Sequence, residues 1–188
     1  MPHRKEAEAY LSLPVSDRRD HIRGNPQGEV TLVEYGDFQC PHCGRAHPIV
    51  TELLERMGDD VRFVFRNFPL TQLHPDAQLA AEAAEAAGAQ DKFWEMHDAL
   101  YENQEALDAP SLLTYAADLE LDLPRFESEL AAHAHLPRVR EDFSSGIRSG
   151  VNGTPSFFIN ERRHDGPWDL ESLMAAIEEE MEHPSGAR

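Results

Sequence analysis

Cysteine occurs only twice in the 188 residues, at Cys40 and Cys43, and lysine only twice, at Lys5 and Lys92. Two thiols cannot build a disulfide framework, and without a second Cys/His pair at finger spacing they do not complete the four-ligand shell of a structural zinc. The 17 basic residues, nearly all arginine, face 35 acidic ones, for a net charge of −18. Phosphate recognition needs clustered positive charge, so nucleic acid and anionic membrane surfaces are excluded as partners, and the acidity serves solubility. Long apolar runs are missing too. No segment approaches the roughly 18 uninterrupted apolar residues of a membrane span, and the basic start from Met1 to Tyr10 is not followed by the apolar stretch of a secretory leader. The expectation is therefore a cytoplasmic chain, in a reducing compartment where a Cys-x-x-Cys is catalytic or metal-binding rather than a structural staple. Repeats and low-complexity segments are also lacking, and a chain of this length has ample core for one domain, or for one domain with a large insertion.

What is present centres on Cys40-Pro41-His42-Cys43, where a strand-like run gives way to a helix-like one. With Cys40 as the cap, Pro41 takes the first helical position, where its fixed φ suits the turn and its missing N–H costs nothing. Cys43 then lies one turn on and faces Cys40. The free N–H groups and dipole of the helix end favour negative charge, and a protonated His42 adds a positive one beside the sulfur. Both lower the first thiol's pKa, and a thiolate is the form that attacks disulfides. The stretch reads as a redox dithiol with Cys40 the exposed, acidic thiol and Cys43 the buried one.

Residues 1–28 read as an N-terminal extension and connector, amphipathic from Ala7 to Leu13 and then rich in turn formers. Val30, Leu32, Val33 and Tyr35, bounded by Gly28 and Gly36, fit a buried strand interrupted by Glu34. Apolar residues recur at helical spacing from Pro41 to Met57, with Pro48 predicting a kink and Gly58 a stop. Val61 to Phe65 is a second strand, reached through that helix and so parallel to the first. Five helical segments follow: Pro75 to Ala87, Asp91 to Asn103, Ser111 to Leu119, Pro124 to Ala134 and Pro137 to Ser149. Strand character returns at Ser156 to Ile159, with a partner strand through His164 and a final helix from Asp169 to about Glu182. The order predicts an α/β sheet domain, 29–74 and 151–183, with a helical subdomain, 75–150, inserted between its βαβ and ββα halves, and a tail at 184–188.

Val33-Glu-Tyr-Gly-Asp-Phe-Gln-Cys-Pro-His-Cys43, the helical block, and Gly150-Val-Asn-Gly-Thr-Pro-Ser-Phe-Phe-Ile159 together resemble the DsbA-like branch of the thioredoxin superfamily, over about residues 20–182. The resemblance implies a thioredoxin-like fold and a thiol-disulfide oxidoreductase acting on protein or peptide thiols and disulfides, with a further redox partner to regenerate it. It implies no cofactor beyond the Cys40–Cys43 disulfide itself. It also implies a cis bond at Thr154-Pro155, in a loop facing the dithiol and offering the Thr154 backbone to a bound peptide. Glu34 stands six residues before Cys40, where thioredoxin-like proteins place a buried acid beneath the dithiol. A carboxyl in an apolar strand has a raised pKa and can exchange protons with Cys43. The bland alternative is a glutamate that reaches solvent at a sheet edge. Pro48 matches the family's kinking proline, whereas Asp37, Phe38 and Gln39 receive no catalytic role.

Other groupings weigh less. Phe93, Trp94, Met96 and Tyr101 recur at helical spacing and read as core. His133 and His135 do not face each other on a helix, and the remaining histidines lack partners at ligand spacing. The competing function is a non-enzymatic metal site on Cys40, Cys43 and His42. By the DsbA-like resemblance Pro-His between the cysteines favours an oxidant, whereas the start of the sequence points to a compartment that keeps dithiols reduced, so the direction of electron flow stays open.

Overall fold

Alternation along Val30–Gly36 (β2) sends Leu32 and Glu34 to one face of a sheet and Val33 and Tyr35 to the other, so this strand is buried on both sides. The computed structural model describes residues 9–184. Residues 1–8, which include the start of the expected amphipathic stretch, and 185–188 of the expected tail lie outside the described residues. The sheet has five strands in the order β1-β3-β2-β4-β5. Strand β2 runs parallel to β3 (Val61–Asn67) and antiparallel to β4 (Ser156–Ile159), which pairs with β5 (Arg162–His164). Helix α1 (Pro41–Met57) links β2 to β3. The fold is thus a mixed α/β, thioredoxin-like one with extra helices beyond its βαβ unit.

The helices between β3 and β4 are α2 (Ala77–Gly88), α3 (Phe93–Glu102), α4 (Ala109–Asp118), α5 (Leu123–Ala131) and α6 (Leu136–Arg148), and α7 (Leu170–Glu182) closes the chain. Proline sits in the first turn of α1, α4, α5 and α6, and the side chains of Asp108, Asp122 and Asp169 accept from N–H groups of the α4, α5 and α7 first turns. Helices α1, α3 and α7 cover the Leu32 face with Phe63, Phe65, Met96 and Leu173, and α6 covers the opposite face around Tyr35, Phe68 and Phe158. Each such fully buried side chain contributes about 1.5–3 kcal/mol. No helix among the described residues is long and apolar enough to cross a membrane.

One strand was not expected. His21–Gly24 (β1), within the presumed connector, pairs antiparallel with the edge of β3. Its side chains are only half-buried, so its extended form comes from the backbone partners that β3 supplies rather than from a pattern of its own. Helix α2 begins at Ala77 rather than Pro75 because Asp76 is held in a turn, its N–H donating to Gln39 Oε1 at 2.7 Å.

Candidate active site

The dithiol sits where β2 ends. Cys40 is the N-cap of α1, with extended backbone (φ −71°, ψ 122°), and Pro41 follows at the first helical position. Cys43 is fully buried, and Cys40 is only 3 % exposed, so Cys40 is not the open thiol expected from sequence. Its cover includes the later loop: the Cys40 thiol points at the Thr154 carbonyl, 3.5 Å away, and the Thr154–Pro155 peptide is cis. Both cysteines are free thiols.

Burial and neighbours drive the two sulfurs apart. Cys40 falls to about 5, chiefly through the hydrogen bond from Cys43; burial opposes this, while Thr154 and the backbone N–H groups of Cys43 and His42 help it. Cys43 is pushed well up by burial first, then by donating to Cys40 and by the charges of Glu34 and Cys40. The Asp37 amide, 3.5 Å from the Cys43 sulfur, works the other way. Glu34 is 2 % exposed in the middle of the central strand, far from the solvent-reaching position of the bland alternative. Burial, and secondarily the Cys40 charge, raise its carboxyl to about 8, and its Oε1 has no hydrogen-bond partner. The arrangement puts an acidic thiolate at the helix end, a protonated thiol behind it and a protonated carboxylic acid near both.

His42 is exposed, with the Arg45 guanidinium 2.6 Å from its Nδ1, so Arg45 places a positive charge beside this helix end that sequence alone does not assign. The sequence carried no signal for three further contributors. Asp37 takes hydrogen bonds from the N–H groups of Gln39 and Leu70 and pairs with His74 Nδ1, all at 2.8 Å. Across the same junction Gln39 donates from Nε2 to the Asp76 carboxylate at 3.1 Å and accepts at Oε1 from the Asp76 backbone N–H. Gln104, beyond α3, donates to the Phe38 and Cys40 carbonyls at 2.8 and 2.9 Å. The inserted helices therefore reach the loop that carries the dithiol. His74 and His97 thus gain carboxylate partners, Asp37 and Asp98, that sequence spacing did not reveal.

Neither cysteine belongs to a potential metal cluster. Among the described residues the one grouping of suitable ligands is His47, His97 and Asp98, and Arg23 already grips Asp98 with two bonds of 3.0 and 2.7 Å. The alternative of a metal site on Cys40, Cys43 and His42 is not supported.

A thioredoxin family model matches residues 16–179. The chain belongs to the thioredoxin family. Among solved structures, a thioredoxin-like oxidoreductase from Silicibacter pomeroyi DSS-3 superposes with a TM-score of 0.79 at 30 % identity, covering 88 % of this chain and 94 % of that one. Oxidised BdbD from Bacillus subtilis gives 0.82 at 24 % identity, covering 94 % and 100 %. The fold resembles that of DsbA-like proteins, and the closely spaced pair of free cysteines suits thiol-disulfide chemistry. Over 167 residues the chain is 52 % identical to part of the Na(+)/H(+) antiporter NhaA 1 of Salinispora arenicola (strain CNS-205), covering 89 % of this chain and 26 % of that protein. It is 44 % identical over 170 residues to NhaA 1 of Mycobacterium sp. (strain KMS). The chain spans about a quarter of the length of these curated relatives. The cytoplasmic location expected from the N-terminus does not stand: the structures this thioredoxin-family chain resembles include Wolbachia pipientis DsbA proteins and Proteus mirabilis ScsC, a class that works in the periplasm.

Proposed function

We propose that this protein is a disulfide-donating oxidant of protein or peptide thiols, working through Cys40-Pro41-His42-Cys43 and a mixed disulfide. A substrate thiolate attacks Cys40 of the Cys40–Cys43 disulfide. The S–S bond breaks and Cys43 leaves with the electron pair, taking a proton from Glu34. A second substrate thiolate then attacks the substrate sulfur of the mixed disulfide. The substrate departs oxidised by two electrons, and Cys40 leaves as a thiolate. Pro41 sets the first turn that aims the N–H groups, Arg45, hydrogen-bonded to His42, supplies positive charge at the helix end, and the Thr154 backbone beside Pro155 pairs with the extended peptide. The single observation that carries this reading is the placement of Cys40 at the N-terminus of α1, with the free Cys43 thiol one turn on and the cis Thr154–Pro155 loop against it, surroundings that lower the thiol to about 5. A stable thiolate is a good leaving group and stabilises the reduced protein, which makes the disulfide a strong oxidant.

The expected result is that oxidised protein converts a reduced dithiol peptide to its disulfide in one stoichiometric turnover, and that Cys40→Ser abolishes it. No oxidation by the wild type, with the disulfide present, would reject the reading. A second statement concerns setting. Relatives that carry this domain within an antiporter chain favour exchange beside a membrane transporter. Cys43→Ala leaves a Cys40 thiolate that stalls as a mixed disulfide, so captured partners in the membrane fraction would support that setting, and exclusively soluble partners would remove it.

A further inference from the structure

Three polar atoms around the dithiol are buried without a hydrogen-bond partner: Thr154 Oγ1 in the loop against Cys40 and, on the sheet side, Glu34 Oε1 and the Tyr101 hydroxyl. Tyr101 comes from α3, in the inserted block, and its ring packs between Phe38 at 4.9 Å, His97 at 5.0 Å, His47 at 5.2 Å and Phe65 at 6.2 Å. One edge of the ring borders an open groove along α1, shared with Gly44 and His47, while the hydroxyl is directed inward. It lands over Gly36, where a Cβ would sit 2.8 Å from the oxygen. Residues two apart on a strand share a face, so Gly36 and Glu34 present the same side of β2, toward the cluster that contains Cys40 and Cys43.

A buried hydroxyl with no partner costs about 1–3 kcal/mol, and phenylalanine would fill the same ring space without that cost. Such an orphan needs a reason, and the redox cycle supplies one. When the Cys40–Cys43 bond breaks, negative charge appears on Cys43 and passes to Glu34 in a region otherwise lined by Phe38, Phe65 and Met96. We propose that Tyr101 is a positioning residue of the redox site, its hydroxyl a preorganised donor to the charge that develops on the Glu34 carboxylate and the Cys43 sulfur. The proposal rests on the oxidant reading above.

The phenol serves as donor and not as proton carrier. Burial first, then the charges of Cys43, Glu34, Asp37 and Cys40, push its pKa well above the tyrosine range, so it keeps its proton throughout. Those four groups and the rings of His47 and His97 are the titratable neighbours that face it. A buried donor already beside the developing charge needs only a small shift to reach it, and so acts on the barrier with little reorganisation.

Tyr101→Phe tests this in the intact protein, because it keeps the ring and deletes only the oxygen. The expected result is unchanged or higher thermal stability, a peptide-dithiol oxidation rate lower by at least about tenfold, and an upward shift of the Glu34 carboxyl titration followed by carbon NMR. Should that variant fold poorly, fluorotyrosine placed at Tyr101 alone strengthens the donor, and the Glu34 titration then moves down. An active wild type whose Tyr101→Phe form has the same rate and the same Glu34 titration overturns the inference and leaves the oxidant reading intact. An inactive wild type overturns that reading instead.

Discussion

Cys40 and Glu34 respond to pH in opposite directions. An unfolded thiol titrates near about 8.5, and the folded Cys40 near 5. The thiolate therefore stabilises the reduced fold fully above the unfolded value, and this contribution is lost as pH falls through about 5. Thiolate absorbance of the reduced protein is expected to titrate at that low value, and Cys43→Ala, which removes the largest stabilising hydrogen bond, to move the midpoint upward; a wild-type midpoint at the free-thiol value contradicts the geometry. For Glu34 the folded value is raised, to about 8 from 4.5. Below 4.5 both states hold the proton, whereas across the window up to 8 the unfolded chain ionises and the fold does not. Stability falls with rising pH over that window. Glu34→Gln keeps the shape and cannot ionise, so the reduced variant is expected to be more stable than wild type at alkaline pH, by several kcal/mol at most, and to exchange disulfides more slowly. Denaturant midpoints measured at several pH values check the first outcome, and equal slopes of stability against pH for the two proteins contradict it.

Among the elements, the junction of β2 with α1 is held by groups from elsewhere in the chain. Asp37 ties it to Leu70 and His74, and Gln104 to the inserted helices. Hydrogen bonds to a charged group contribute about 1.5–3 kcal/mol each, so Asp37→Ala is expected to destabilise by roughly 3 kcal/mol and to slow disulfide exchange, seen as a lower thermal midpoint with a reduced rate. Sequence alone could not assign these anchors, because each is polar and its partner lies more than thirty residues away. The apolar spacing of β2, α1 and β3 was legible because both faces of the two strands are buried and one face of the helix is, at its 3.6-residue period. Tyr101 was legible only as part of a core stripe, since periodicity finds the buried ring and says nothing of its hydroxyl. Strand β1 escaped notice because its form depends on the β3 edge.

At the scale of the whole molecule, polar contacts as well as apolar ones join the inserted helices to the sheet. Asp142 of α6 accepts from the Asn67 backbone N–H at 3.0 Å, and Glu85 of α2 pairs with His21 of β1 at 2.9 Å. Helix α2 is sheathed in alanines, Ala80, Ala83, Ala84 and Ala87, with no exposed surface. A fragment of residues 75–150 would uncover these surfaces, and it is expected to show no cooperative unfolding transition by circular dichroism; a sharp transition would make the block an autonomous domain. Across the sheet, Arg66 and Asp20 form a fully buried pair at 3.0 Å. Arg66→Met removes one of the two guanidinium partners of Asp20, which keeps Arg19 at 2.7 Å and the Ser16 N–H, and is expected to cost about 1.5–3 kcal/mol, readable in the denaturant midpoint. The chain order of strands and helices made the insertion legible in the sequence, whereas the buried pair, forty-six residues apart, was not. All of this framework holds one dithiol whose reduced form is stabilised by a thiolate. The most direct test is the reduction potential of the Cys40–Cys43 couple in glutathione buffers: the account predicts a midpoint less negative than roughly −200 mV, and a couple as reducing as the glutathione pool or more so would contradict it.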